Sequence, residues 1–377
     1  MDTRSQKKIL ILYASAGHGH EKAARAIFEA FQDSGSGHEV KILDALSLTL
    51  PLVGRFYRWV YFTQIKYAPW LWGFSYYSTD CRWVYFFIRY ARRAVNQVLG
   101  SPLHAFLEKE NPDVIVTTHF LSTEIASFLK GRKKITSKLV TVVTDYLPHY
   151  VWTAPAVDFY AVAVEDTKKG LVDRGVPENR IRVTGIPIEK KFLESSPRKE
   201  LLAKLGLEDD RFTVLITGGG AGIGGVEEMA ERLSKLRVSL QILLVCGTNR
   251  ALYERMSVFS KTSPFVRALS FVNNMQELME VSDVVIGKGG GLTVTESFAK
   301  GKPLILFRSV LGQERRNDRV VERYGAGFAT NSVEEVVKKV SEIAQNPELR
   351  AQMAENVKRL SKPKAAEAIL RIVRDER

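Results

Sequence analysis

A continuous apolar run that breaks into a glycine loop and then an amphipathic helix occurs twice in this chain, and it narrows the fold more than any other feature. Lys8 to Ala14 reads KILILYA, the loop SAGHGH follows, and Glu21 to Phe31 then puts Ala23, Ala26, Ile27, Ala30 and Phe31 on one helix face. The pattern restarts at Phe212 to Thr217, FTVLIT, followed by GGGAGIGG and a helix expected over Val226 to Leu236. An apolar run without alternation suits a strand covered on both faces, and such strands belong to parallel sheets flanked by helices. Two openings of this kind predict an α/β chain of two Rossmann-like domains. A length of 377 residues also fits two cores better than one.

The stretches between the openings keep the alternation. Strands are expected at Val40 to Asp44, Asp113 to Thr117, Leu139 to Thr144, Phe159 to Val164 and Ile181 to Thr184, with helices at Pro102 to Lys109, Leu121 to Lys130 and Glu165 to Arg174. Glu189 to Asp210 is highly charged, contains Pro197 and reads as a linker. Boundaries follow at 1–190 and 191–364, with a C-terminal helix over 365–377 able to cross back to the first domain. Strands at Leu240 to Cys246, Val266 to Phe271, Asp283 to Ile286 and Pro303 to Phe307 build the second domain.

Gly287 to Asn317, GKGGGLTVTESFAKGKPLILFRSVLGQERRN, is the stretch with the clearest chemistry. A strand runs into a glycine triplet, the triplet opens a short helix with Thr293 and Glu296 expected in its first turn, and Gly301 with Pro303 stops it. Glycines let a backbone approach a phosphate, and the free N–H groups of a helix start favour negative charge. The plainer reading of Thr293 and Glu296 is a capping box. Gly218, Gly219 and Gly220 stand behind the first strand of the same domain, where a tight turn is the plainer reading. A dinucleotide fingerprint is not matched in the first loop, since histidines stand where it needs small residues.

Residues 47–93 differ in composition. Between Arg55 and Tyr90 lie 16 aromatic residues, Trp59, Trp70, Trp72 and Trp83 among them, interleaved with Arg55, Arg58, Lys66, Arg82 and Arg89, and only Asp80 is negative. Rings mixed with cations suit an anionic membrane interface. They also suit a helical insertion with the rings as core, or stacking on single-stranded nucleic acid, for which no RNA-binding signature is present. The chain as a whole carries 55 Lys and Arg against 42 Asp and Glu, a balance that favours polyanionic partners. Its two cysteines, Cys81 and Cys246, lack metal-ligand spacing, so no zinc site is expected and a reducing cytosol is the simplest home. No apolar stretch is long enough to be expected to span a bilayer.

Specific motifs extend this. GGGLTVTES with GKPLI and GQERRN resembles the donor site of the GT-B family that holds the monogalactosyldiacylglycerol synthases and processive diacylglycerol glucosyltransferases, relatives of the transferase that adds N-acetylglucosamine to lipid I. TDYLPHYVW, VTGIPI and the N-terminal AxxGHGH resemble the diacylglycerol branch more. The resemblance implies a GT-B fold with a cleft between two Rossmann-like domains, and inverting transfer of a hexose from a UDP-sugar to diacylglycerol; no DxD-type carboxylate pair stands at the phosphate site, so the helix dipole and loop are expected to serve there without a metal or cofactor. It implies a peripheral protein on the cytoplasmic face of an anionic membrane, with no nucleic-acid partner. Glu296 would bind the ribose, Gly289, Gly290, Gly291, Leu292 and Thr293 would surround the diphosphate, and Gly218, Gly219 and Gly220 would lie beside it. Phe271 and Val272 would hold the uracil edge, a pair that alone reads as core. Gln313, Glu314 and Asn317 would reach the sugar or nucleotide. His20 would act as general base beside Gly19, with Asp145 as a second candidate base or as the residue that orients His20. Other readings of the same features are a UDP-N-acetylglucosamine transferase with another lipid acceptor, a UDP-sugar hydrolase or epimerase, and a non-enzymatic sensor.

Overall fold

The computed structural model describes residues 6–15, 17–49, 59, 63–64, 67–218 and 225–374. They form two compact units, Met1–Lys190 with Lys362–Arg377, and Lys191–Ser361.

The first unit holds a six-stranded sheet in the order β2-β1-β3-β4-β5-β6, every neighbouring pair parallel. Its strands are β1 (Lys8–Tyr13), β2 (Glu39–Asp44), β3 (Val114–Thr117), β4 (Lys138–Val142), β5 (Phe159–Val162) and β6 (Ile181–Val183). Ile9, Ile11, Val114, Val116, Val140 and Val142 pack on one face under the helix His18–Asp33 and the C-terminal helix Ala365–Arg374, whose Ile369, Leu370 and Val373 are buried among them. Leu10, Leu12, Ile115 and Leu139 form the core of the other face with Leu103, Leu107 and Ile125. The residues that read as an uninterrupted apolar run therefore serve both faces, as a parallel sheet requires.

The second unit repeats the design with the order β12-β11-β10-β7-β8-β9, again parallel throughout. Here β7 is Phe212–Thr217, β8 Leu240–Val245, β9 Val266–Leu269, β10 Val284–Gly287, β11 Leu304–Phe307 and β12 Gly327–Thr330. In each sheet the first strand lies inside, and the chain leaves it toward opposite sides: between β1 and β3 in one, between β7 and β10 in the other. At such a switch point the loops at the strand ends diverge and leave a crevice, which is where open α/β sheets bind ligands.

The fold departs from the sequence reading in three places. The expected linker Glu189 to Asp210 contains the helix Arg198–Leu205, with Leu201 and Leu202 buried, packed near the helix Met275–Val281. Gln313–Arg323 is a helix rather than a polar loop, led by Gly312 at φ +98°, a conformation that favours glycine. Strand β12 has no counterpart in that reading, because GFAT is too short and too small to show a pattern.

Candidate active site

In the first unit, β1 runs through the loop into the helix His18–Asp33, with extended Gly17 as its N-cap and Gly19 in its first turn. A Cβ on Gly17 would meet nothing within 4 Å, so the glycine keeps the space before the helix clear. His20 sits at the C-terminal end of the sheet, between the ends of β3 and β4. Its Nδ1 lies 2.7 Å from the Thr118 carbonyl and 3.1 Å from Thr144 Oγ1. A carbonyl only accepts, so Nδ1 carries the proton and the lone pair resides on Nε2. Thr118 returns the contact by donating its hydroxyl to the His20 carbonyl at 2.9 Å. The imidazole is thus held at both its ring and its backbone by one residue.

Burial pushes the His20 imidazolium down to about 4, against the opposing effect of the Thr118 carbonyl. The ring is neutral at physiological pH, an acceptor in the tautomer that general-base chemistry needs. His119 packs edge-on against it, ring centroids 4.6 Å apart, and caps the next helix by accepting from Leu121 N–H at 3.2 Å. Burial, then the neighbouring His20, hold His119 well below its ordinary range. His149 also caps a turn, accepting from Val151 N–H at 3.0 Å. Asp145 lies beyond β4 as expected, buried, and accepts from Trp152 Nε1 at 3.2 Å. His20 Nδ1 is oriented by the Thr118 carbonyl and Thr144 Oγ1.

In the second unit, β10 ends at Gly287, where a Cβ would lie 2.6 Å from Thr217 Oγ1 of β7. Gly289 is more constrained. A Cβ there would strike Asp318 Oδ1 and come within 2.7 Å of the Glu314 carbonyl. Its N–H donates to Ser309 Oγ at 3.0 Å, Ser309 donates on to Asp318 Oδ1 at 2.7 Å, and Asn317 Nδ2 donates to the Gly289 carbonyl at 2.7 Å. Gly289 therefore shapes the loop and does not offer its N–H to a ligand.

The helix Gly291–Ala299 opens behind Gly290 with no side-chain cap. Its first N–H groups, on Gly291, Leu292 and Thr293, have no intrahelical acceptor and sit at the positive end of the helix dipole. The capping-box reading fails, and Glu296 lies in the second turn rather than the first, only 5% exposed. Glu314 is partly buried, accepts from Val310 N–H at 2.7 Å, and is pushed up by burial. Gln313 begins the same helix, and Asn317 is fully buried within it. Burial also pushes the Asp318 carboxyl up to about 6, against the pull of its Ser309 hydrogen bond. Gly218 is buried at the end of β7, its N–H spent on the Val245 carbonyl at 3.2 Å. Phe271 is 64% exposed beyond β9, which removes the core reading of the pair it forms with partly buried Val272.

The described part of the aromatic stretch includes two helices, Pro69–Thr79 and Arg82–Leu99. Trp70 and Trp83 are 69% and 73% exposed, and Trp59, Tyr67, Phe74, Phe86, Phe87 and Tyr90 are exposed as well. Trp72 is partly buried, packed near Tyr76. The core reading of this stretch holds for Tyr85, stacked on Tyr150 at 5.1 Å, and fails for most of its rings. The stretch's lone carboxylate points inward: Asp80 accepts from Arg174 Nη2 at 2.6 Å and from Tyr150 N–H at 2.8 Å, fastening the helix corner to the unit.

A sequence model of monogalactosyldiacylglycerol (MGDG) synthase matches residues 20–188, and one of the glycosyltransferase family 28 C-terminal domain matches residues 213–369. The processive diacylglycerol beta-glucosyltransferase of Bacillus pumilus is 31% identical over 371 residues, covering 97% of this chain and 94% of its own. The chain belongs to the diacylglycerol glycosyltransferase family. The Bacillus subtilis member is 29% identical at the same coverage. Among solved structures, Acinetobacter baumannii MurG superposes with a TM-score of 0.66 at 15% identity, covering 98% of this chain and 99% of its own. Anabaena HepE in complex with UDP-glucose does so at 0.56 and 14% identity, covering 98% and 100%. At such identities the likeness shows the fold, and that fold is the GT-B architecture.

Gly290, Gly291, Leu292, Thr293, Glu296, Gln313, Glu314 and Asn317 are brought together around one switch point, beside the end of β7. Gly219, Gly220, Arg55 and Arg58 lie outside the described residues. Thr118, Thr144, Ser309 and Asp318 are positioning groups that the sequence reading passes over. THFL after β3 and TDY after β4 carry the only signal for the first two, a polar residue at a strand's C-terminal end.

Proposed function

We propose that this chain is an inverting glycosyltransferase that moves a hexose from UDP-glucose or UDP-galactose to the hydroxyl of diacylglycerol. The observation that carries the reading is His20, a neutral imidazole with its tautomer fixed by the Thr118 carbonyl, in a chain of the diacylglycerol glycosyltransferase family. Nε2 takes the proton of the acceptor hydroxyl while that oxygen bonds the anomeric carbon. The bond from the anomeric carbon to the diphosphate breaks, and the electron pair leaves with UDP. The uncapped start of the helix Gly291–Ala299 stabilises the charge that develops there, a fixed dipole aimed at the leaving group. Glu296 accepts from the ribose hydroxyls. In this reading the dipole and the loop do the work of a divalent ion.

Diacylglycerol is reached from a membrane surface, and the exposed rings of the helices Pro69–Thr79 and Arg82–Leu99 are the dock. Among the described residues no helix is long and apolar enough to cross a membrane. The reading places the protein on the cytoplasmic face, peripherally, without a nucleic-acid partner.

The test is a panel of UDP-sugars against diacylglycerol in anionic vesicles, with and without chelator, products identified by mass. A single hexose added to diacylglycerol, in chelator as well, is the expected result. UDP released without a lipid product would mark a hydrolase and overturn the acceptor assignment. Transfer only with added divalent ion would overturn the metal-free mechanism.

A further inference from the structure

The helix Arg82–Leu99 has a second face, turned into the first unit, and it helps to enclose a cavity of about 390 Å³. Five guanidinium groups, Arg89, Arg92, Arg93, Arg174 and Arg180, line it with a single carboxylate, Glu124. Four of these arginines are partly or wholly committed, Arg89 giving Nη2 to Tyr90 Oη at 2.8 Å. Arg174 grips Asp80. Arg180 donates to the carbonyls of Pro155 and Val157, both at 3.2 Å. Arg92 gives Nη2 to Tyr85 Oη at 2.9 Å and pairs with Glu124 at 3.2 Å. Nε of Arg89, Nε and Nη1 of Arg92 and Nε of Arg93 are buried and have no acceptor among the described residues.

Charged donors hidden from water and left without acceptors are costly, and guanidinium groups gathered around one space repel each other. Both costs are relieved by an anion with several acceptor oxygens. A tetrahedral phosphate suits guanidinium forks, which bind two oxygens at once, better than a single carboxylate does. The volume exceeds that of bare phosphate and suits a phosphate ester, whose carbon part would meet Tyr85, Pro155 and Val176.

We propose that this cavity binds the phosphate group of a small phosphate ester, at a site built entirely within the first unit and separate from the loop Gly287 to Thr293. Two sources share that chemistry, a soluble phosphate ester and a phospholipid headgroup. Calorimetry on the full chain with sn-glycerol 3-phosphate, and with a short-chain phosphatidylglycerol kept below its micelle concentration, distinguishes them. Saturable binding is expected to weaken about tenfold in Arg89→Gln and in Arg93→Gln, to recover in part in Arg93→Lys, and to persist in Glu296→Ala. Tighter binding of the phospholipid assigns the headgroup, and equal or tighter binding of the soluble ester assigns a metabolite; either result upholds the site. No saturable binding of either probe, binding equal in all variants, or binding lost only in Glu296→Ala, would overturn it.

Discussion

The two units open with the same device and finish it with different material. In the second, the site is made largely of backbone: a glycine triplet, the uncapped helix start behind it, and a polar helix that locks the loop through Ser309, Asn317 and Asp318. In the first, the site is made of side chains from distant parts of the chain. His20 meets Thr118 and Thr144 across sequence separations of 98 and 124 residues. A backbone site tolerates a charged ligand because its donors are fixed dipoles that carry no proton to lose. A side-chain site can take a proton, and the structure spends its hydrogen bonds on deciding which nitrogen does so. In the proposed reaction this division puts leaving-group stabilisation on one sheet and proton removal on the other.

Removing the proton acceptor is the harshest test of that division. His20→Ala should lower turnover by about 10²–10⁴-fold while UDP affinity, measured by calorimetry, stays near the parent value. A fall in UDP affinity of similar size would erase the contrast between the units. Next in size is Gly289→Ala. The added methyl meets Asp318 and the Glu314 carbonyl, so the loop must shift, at an expected cost of about 1–3 kcal/mol and with a marked loss of UDP binding. An unchanged melting temperature with unchanged UDP affinity would show that the lock on this loop is unimportant.

The smallest effects, and the most discriminating, come with pH. The folded-state value of His20, about 4, lies below its ordinary 6.5, so its contribution to stability is complete above about 6.5 and is lost as pH falls toward 4. The acid limb of kcat/KM should accordingly fall near 4 rather than near 6.5. Asp318 has the opposite sign. Its carboxyl is raised from 3.8 to about 6, so its contribution is complete below about 4 and is lost as pH rises through 6. UDP binding should inflect near pH 6 in the parent and lose that inflection in Asp318→Asn. One common inflection for binding and turnover would mean that the two sites do not titrate separately.

Legibility in the sequence followed the same division. Glycine spacing and a strand-to-helix transition are local signals, so the donor loop and both sheet openings could be read from short windows. Glu296, Gln313, Glu314 and Asn317 followed from motif likeness, although the helix carrying the last three was hidden by its density of charge. Ser309 and Asp318 flank no glycine and belong to no periodic pattern; their role exists only once β11 and the following helix fold back on Gly289. Thr118 and Thr144 carried only a weak signal, a polar residue at a strand's C-terminal end, for the same reason. The aromatic helices announced themselves by composition, yet composition alone could not separate exposed rings from core, and only their exposure in the folded structure decides it.

The C-terminal helix has a further consequence, for the order of events as the chain is made. Ile369, Leu370 and Val373 complete the same hydrophobic layer as Ile9 and Ile11, so a strand made before the second unit shares a core with a helix made after it. The second unit lies between them in the chain and can close on its own as soon as residue 361 is available. The sheet that carries His20 must wait. A nascent chain stopped before residue 362 would present a finished second unit and an unfinished first unit whose apolar face is open to chaperones.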